Sequence, residues 1–184
     1  MCTAIVSRGG MADIITHLEK HFNNKTVARH ALAVLKSLAG FDELTTAYLT
    51  YAWLGNDDVK VSIAKGPALQ LVLKAMKLHL DSAPTQEQGC ALLAAIALRN
   101  PENAKIIAEN DGISAILEAM KAHATAPRAQ KNACLALRNL VVRNPDLQPI
   151  ALEAGAEALI RQAMRSHPTC IDNAKAALRD LHVD

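Results

Sequence analysis

Aromatic side chains are scarce in this sequence, five in 184 residues or 3%. That leaves too few rings for an aromatic core, and the abundance of Ala, Leu and Ile instead suits helices packed through small and aliphatic groups. An all-α fold is expected. Long apolar runs are also missing: the longest, Cys90 to Leu98, is less than half of the about 20 residues that a membrane-spanning helix needs. The opening MCTAIVSRGG has no apolar stretch of signal-peptide length. Neither sign of charge dominates, since 20 basic against 18 acidic residues leave +2. Without clustered Lys and Arg there is no generic phosphate-binding surface, so nucleic acid is not an expected partner. These features point to the cytoplasm, with the nucleus as a second compartment, and to no membrane partner.

Catalytic and metal motifs are lacking too. The four cysteines, Cys2, Cys90, Cys134 and Cys170, form no CxxC. Cys90 and Cys134 lie 44 residues apart, in equivalent positions of successive units, where neighbouring helices stand about 8–10 Å apart, too far for a disulfide. They read as buried free thiols in a reducing compartment. There is no G-x-S-x-G, P-loop or GxGxxG, and HLEKH (His17–His21) is not the HExxH of zinc hydrolases. No enzyme activity, cofactor, metal site or small-molecule substrate is expected.

What the sequence does have is a period. Arg143–His167, RNPDLQPIALEAGAEALIRQAMRSH, repeats Arg99–His123, RNPENAKIIAENDGISAILEAMKAH, at a shift of 44, and Asn56, Val72, Met76 and His79 fall in register one shift earlier. Such self-similarity marks a stacked-repeat protein, in which each unit buries its apolar face against its neighbours. Each unit reads as three helices. The short first helices are predicted over 57–65, 101–109 and 145–153, started by Asn56, Asn100 and Asn144 as N-caps, with Pro101 and Pro145 at the first helical position, and ended near Gly66, Gly112 and Gly155. The second helices align Ile14, Val72, Ile116 and Ile160, and one turn later Leu18, Met76, Met120 and Met164. The third helices begin after Pro84, Pro127 and Pro168. They align Leu93, Leu137 and Leu178, then Ile96, Leu140 and Leu181, with small Gly89, Ala133 and Ala174 preceding.

The first 40 residues fit the same pattern at an offset of 58, which places Ala31, Leu35 and Leu38 with Gly89, Leu93 and Ile96. The excess of 14 residues localises to FDELTTAYLTYAWL, Phe41–Leu54, which holds four of the five aromatics. The expected organisation is one solenoid, 1–184, with repeats 1–40, 55–98, 99–142 and 143–184 and an insert, 41–54. Ala4, Ile5 and Val6 have no upstream repeat to cover them, so either the natural protein is longer or this end is frayed. Three readings of the insert stand side by side: a partner-binding helix with Tyr48, Tyr51 and Trp53 as anchors, a short helix folded onto the core, or an addition without function. A register ambiguity accompanies it, because Ala47–Asn56 could replace Arg29–Gly40 as the packed helix.

The pattern of a short first helix, a turn glycine, a second helix and a longer third, seen in ACLALRNLV (Ala133–Val141) and GAEALIRQAM (Gly155–Met164), resembles the armadillo-repeat family. The resemblance implies a right-handed α-solenoid of about four three-helix repeats and a non-catalytic scaffold that binds a protein or peptide partner along its third helices. It also implies ladders of Asn and Trp in that groove. The Asn column here reads Ser37, Ala95, Asn139 and Asp180 and the Trp column Ala33, Ala91, Leu135 and Ala176, so only Asn139 matches and importin-like cargo binding is not expected. The groove is instead assigned to Lys36, Ser37, Arg138, Asn139, Arg179 and Asp180. The alternative function is a regulatory subunit of a larger enzyme or transport assembly that docks through the insert. Four histidines, His21, His79, His123 and His167, share one column at the ends of the second helices, where a helix C-terminus favours partly cationic side chains.

Overall fold

The computed structural model describes residues 8–40 and 57–183. Among these there are eleven α-helices and no strand. We number them in chain order: α1 (Gly10–Lys20), α2 (Lys25–Leu38), α3 (Asp57–Lys65), α4 (Pro67–Leu78), α5 (Ala83–Ala97), α6 (Pro101–Glu109), α7 (Gly112–Ala122), α8 (Pro127–Val141), α9 (Leu147–Glu153), α10 (Ala156–Ser166) and α11 (Ile171–Asp180), the last preceded by a 3₁₀ turn, Pro168–Cys170. The helices α3–α5, α6–α8 and α9–α11 are three successive triplets, with α1 and α2 before them. The insert, Tyr48, Tyr51, Trp53, the expected cap Asn56 and Cys2 lie outside the described residues.

Local chemistry explains most helix boundaries. Asn100 caps α6 as expected, its side chain accepting from the Asn103 amide at 3.0 Å with Pro101 at the first position. Asn144 does something else. Its amide is buried and donates to the Pro101 and Leu140 carbonyls at 3.1 and 3.2 Å. Pro145 and Asp146 form a turn, and α9 starts only at Leu147. The glycine turns differ as well: Gly155 takes the left-handed conformation (φ 90), but before α7 that conformation belongs to Asp111 (φ 64). Gly112 serves close packing instead, since a Cβ there would collide with the Ile107 side chain and carbonyl.

The third helices carry the core. Helix α5 packs between α2 and α8, and α11 packs on α8. Lys25–Leu38 thus packs on α5, while the competing segment, Ala47–Asn56, lies outside the described residues. Leu35, Leu93, Leu137 and Leu178, and after them Leu38, Ile96, Leu140 and Leu181, all lie in one continuous apolar cluster. Each such leucine withdrawn from water contributes about 1.5–3 kcal/mol. Most of the second-helix columns join the same interior, with Val72, Ile116, Ile160, Met76 and Met120 buried there, while Leu18 is buried in a smaller cluster with Ala28, Leu71 and Ala75. Ile14 and Met164, in the outermost units, are only partly buried.

A polar ladder runs beside the apolar one. His79 Nε2 donates to the Phe22 carbonyl at 2.9 Å, His123 Nε2 to Leu80 at 2.6 Å and His167 Nε2 to Ala124 at 2.7 Å. Every acceptor is the residue just after the preceding histidine of the column. The imidazoles thus tie each unit to the one before it, a more specific task than a cation at a helix end. Behind them Gln86 Nε2 donates to the Met76 and His79 carbonyls at 2.8 and 2.9 Å. Gln130 Nε2 does the same to Met120 and His123, at 2.9 Å each. These amides satisfy carbonyls that the ends of α4 and α7 leave without intrahelical partners.

Candidate functional site

The faces of the third helices turned away from the core follow from helical spacing. On α8, Ala133, Leu137, Leu140 and Val141 point inward. Arg128, Lys131, Leu135, Arg138 and Val142, spaced by three or four residues, form the opposite stripe and are partly or fully exposed. Asn132 and Asn139 lie between these faces, turned toward α5. Their amides donate to the Glu87 carbonyl at 3.2 Å and the Ala94 carbonyl at 2.9 Å.

Asp180 is the residue of α11 equivalent to Asn139, and it too reaches back to the preceding third helix. Its side chain is 10% exposed and lies between two guanidinium groups. Arg138 Nε is 3.1 Å from Oδ2, and the Arg179 terminal nitrogen is 2.8 Å from Oδ1. One carboxylate therefore faces two fixed positive charges, and the cluster carries a surplus of one. At the other seam Arg128 reaches Glu87 of α5 at 3.2 Å.

Of the groove residues expected from sequence, Arg138, Arg179 and Asp180 meet directly. Asn139 sits beside them, but its amide nitrogen is committed to the Ala94 carbonyl. Lys36 and Ser37 are on α2, with Ser37 Oγ bonded to the Ala33 carbonyl at 3.0 Å, and the whole width of α5 separates them from the α8–α11 seam. That helix has no open outer face: every residue from Gly89 to Ala97 is buried, including Ala91 and Ala95 of the groove columns.

Elsewhere the chemistry is muted. Burial pushes the Cys90 and Cys134 thiols up to about 12 and raises that of Cys170, so a nucleophilic thiolate is disfavoured at each. Among the described residues no group of three or more His, Cys, Asp or Glu side chains is arranged to hold a metal ion. No described helix is long and apolar enough to cross a membrane. A surface depression of about 550 Å³ between α4 and α7 is lined by Lys74, Lys77, Asp111 and Glu118 among others, charges of both signs. The glutamine ladder was absent from the sequence reading, although Gln86 and Gln130 stand 44 residues apart, the one sign that could have exposed it.

The chain is 39% identical over 107 residues to armadillo repeat-containing protein 6 of Homo sapiens, an alignment covering 57% of this chain and 20% of the relative. It is 37% identical over 113 residues to the protein of the same name from Pongo abelii, with the same coverage. The matched region thus spans about a fifth of the length of these curated relatives. No family model matches, and no solved structure matches. Helix triplets stacked through a shared core and this similarity point the same way: over the matched region the chain resembles armadillo-repeat proteins.

Proposed function

We propose that this chain is a non-catalytic protein-interaction scaffold that holds a segment of a partner against the outer face of its third helices, the repeats dividing at 1–40, 55–98, 99–142 and 143–184 around the insert. The observation that carries this reading is the seam between α8 and α11. There Arg138, Arg179 and Asp180 form a fixed, partly exposed charged cluster beside the apolar Leu135 and Val142. Charged groups flanking exposed apolar side chains are the composition of a recognition surface, since they orient a partner while the apolar groups are covered. A stacked solenoid also presents a long, ribbed surface rather than an enclosed pocket, which suits an extended ligand.

The test is affinity capture from native lysate with the wild-type chain and with a Lys36→Glu, Arg179→Glu variant, each checked for an intact fold by far-UV circular dichroism. The reading expects partners that the wild-type chain retains and the variant loses. An unchanged set of captured proteins with the fold intact would remove the third-helix face as the docking surface.

A further inference from the structure

The turns that join each second helix to the third helix after it gather at one edge of the stack. The imidazoles tie them together, since His79 donates to the Phe22 carbonyl, His123 to Leu80 and His167 to Ala124, each reaching from one turn into the turn before. Over these turns, residues 20–28, 77–85, 121–129 and 165–171, stand Lys20, Lys25, Lys77, Lys121, Arg128 and Arg165, all exposed, against a single carboxylate, Asp81. We infer that this edge is a peripheral membrane-docking surface, which rests on the anionic headgroups of a bilayer without spanning it. The inference is independent of the third-helix face.

Charge segregation supports this assignment. The chain as a whole is nearly balanced, 20 basic against 18 acidic residues, and the cations of the edge come from four separate stretches that only the fold assembles. A helix C-terminus favours a cation in its last turn, but Lys25 and Arg128 open third helices, where the dipole disfavours one. Asp81 is spent on Lys25, and Arg128 is paired with Glu87 of α5. Among the described residues Lys20, Lys77, Lys121 and Arg165 are in no ion pair. Lys77, Lys121 and Arg165 stand in register at the 44-residue shift, and in the first unit that place belongs to Glu19 with Lys20 beside it. The other carboxylates bordering the edge in sequence are Glu118 and Asp172. One uncommitted cation per unit, at the about 8–10 Å spacing of packed helices, makes a broad, shallow positive field.

The chemistry of the edge favours a bilayer over a nucleic acid. Its turns present no exposed Phe, Tyr or Trp on which a base could stack, and Phe22 is half-buried with Lys74 Nζ 4.7 Å from its ring centroid. Three of the four uncommitted cations are lysines, point charges suited to a diffuse layer of headgroups rather than to the two-pronged grip of a guanidinium on one phosphate. Leu78, beside Lys77, is 49% exposed. An apolar side chain among cations gains by sinking to the boundary between headgroups and acyl chains. The sequence, lacking a long apolar run, pointed to no membrane partner, but an edge that meets headgroups from outside requires no such run.

The experiment sediments the full chain with vesicles of phosphatidylcholine containing about a third phosphatidylserine. Vesicles of phosphatidylcholine alone and a fluorescein-labelled single-stranded oligonucleotide, read by anisotropy, are the comparisons. The chain should bind the anionic vesicles, leave the neutral ones in suspension without it, and detach as salt rises. Lys77→Gln and Lys121→Gln should each weaken binding about fivefold and the double variant about 25-fold. Leu78→Ser should weaken it with the charge unchanged. Glu118→Gln should strengthen it, a change in the opposite direction that loss of fold could not mimic. Lys105→Gln, at an exposed position of the first helix α6, should leave it unaltered. No sedimentation with the anionic vesicles, equal binding of the neutral ones, tighter binding of the oligonucleotide, an equal loss in the Lys105 variant, or weakening by Glu118→Gln would each overturn the inference.

Discussion

Replacing Gln130 with alanine isolates the polar ladder from the apolar core. The Gln130 side chain is 2% exposed, and its amide nitrogen is 2.9 Å from both the Met120 and the His123 carbonyl. The two acceptors differ in what they lose. The His123 carbonyl also accepts from the Ala126 amide at 3.0 Å and keeps a partner. The Met120 carbonyl, in the last turn of α7, is left among buried side chains. An orphaned buried carbonyl costs about 1–3 kcal/mol, and the lost hydrogen bonds and methylene packing bring the total to about 2–4 kcal/mol. Gln86→Ala provides an internal control. Its amide makes the same pair of bonds, but its Oε1 is buried without a partner, so that substitution also removes an unsatisfied acceptor and should cost less. Urea unfolding followed by far-UV circular dichroism measures both, and hydrogen exchange should show the Gln130→Ala loosening at the α7–α8 turn. A Gln130→Ala cost no larger than that of an exposed control, or a larger cost at Gln86, would refute the reasoning.

Leu137→Ala, at a fully buried site, should cost about 2–5 kcal/mol, while Lys121→Ala on the exposed side of α7 should be nearly silent; similar losses would contradict the shared core. The thiols give a pH dependence. Cys90 and Cys134 stay protonated in the folded chain up to about 12, while in the unfolded chain they ionise near pH 8.5–9. Above that range the unfolded state binds fewer protons, so stability should fall with rising pH by about 1.4 kcal/mol per unit for each thiol until pH nears 12. Serine at both positions should flatten that decline, and in the wild-type chain the two thiols should resist alkylation at pH 8 until denaturant is added; rapid labelling of the folded chain would show that they are not enclosed.

The 44-residue shift and the period of 3.6 sufficed to find the core columns, because the leucines of the third helices must face a common interior and side-chain direction in a helix follows from spacing alone. Asn100 was legible as a cap for the same reason: its partner, the Asn103 amide, is three residues away. Asn144 looked alike in sequence and behaves differently, because its acceptors include Pro101 in the preceding unit, a partner that no local pattern identifies. The histidine column was visible as a column, but its acceptors, Phe22, Leu80 and Ala124, lie one unit back and are backbone atoms, to which sequence is blind. Of the candidate site, Arg138, Arg179 and Asp180 were grouped in one expected groove, while the ion pair they share was not legible in the sequence.

The sequence by itself determined the helical class and the apolar columns of the second and third helices, since these depend on periodicity. Only the tertiary structure decided that Asn139 is spent on the Ala94 carbonyl, that the alanines of α5 are buried on every side, and that two arginines converge on one carboxylate. Those outcomes depend on how closely one helix approaches the next. That distance is a property of packed pairs, and the spacing along a single helix does not encode it.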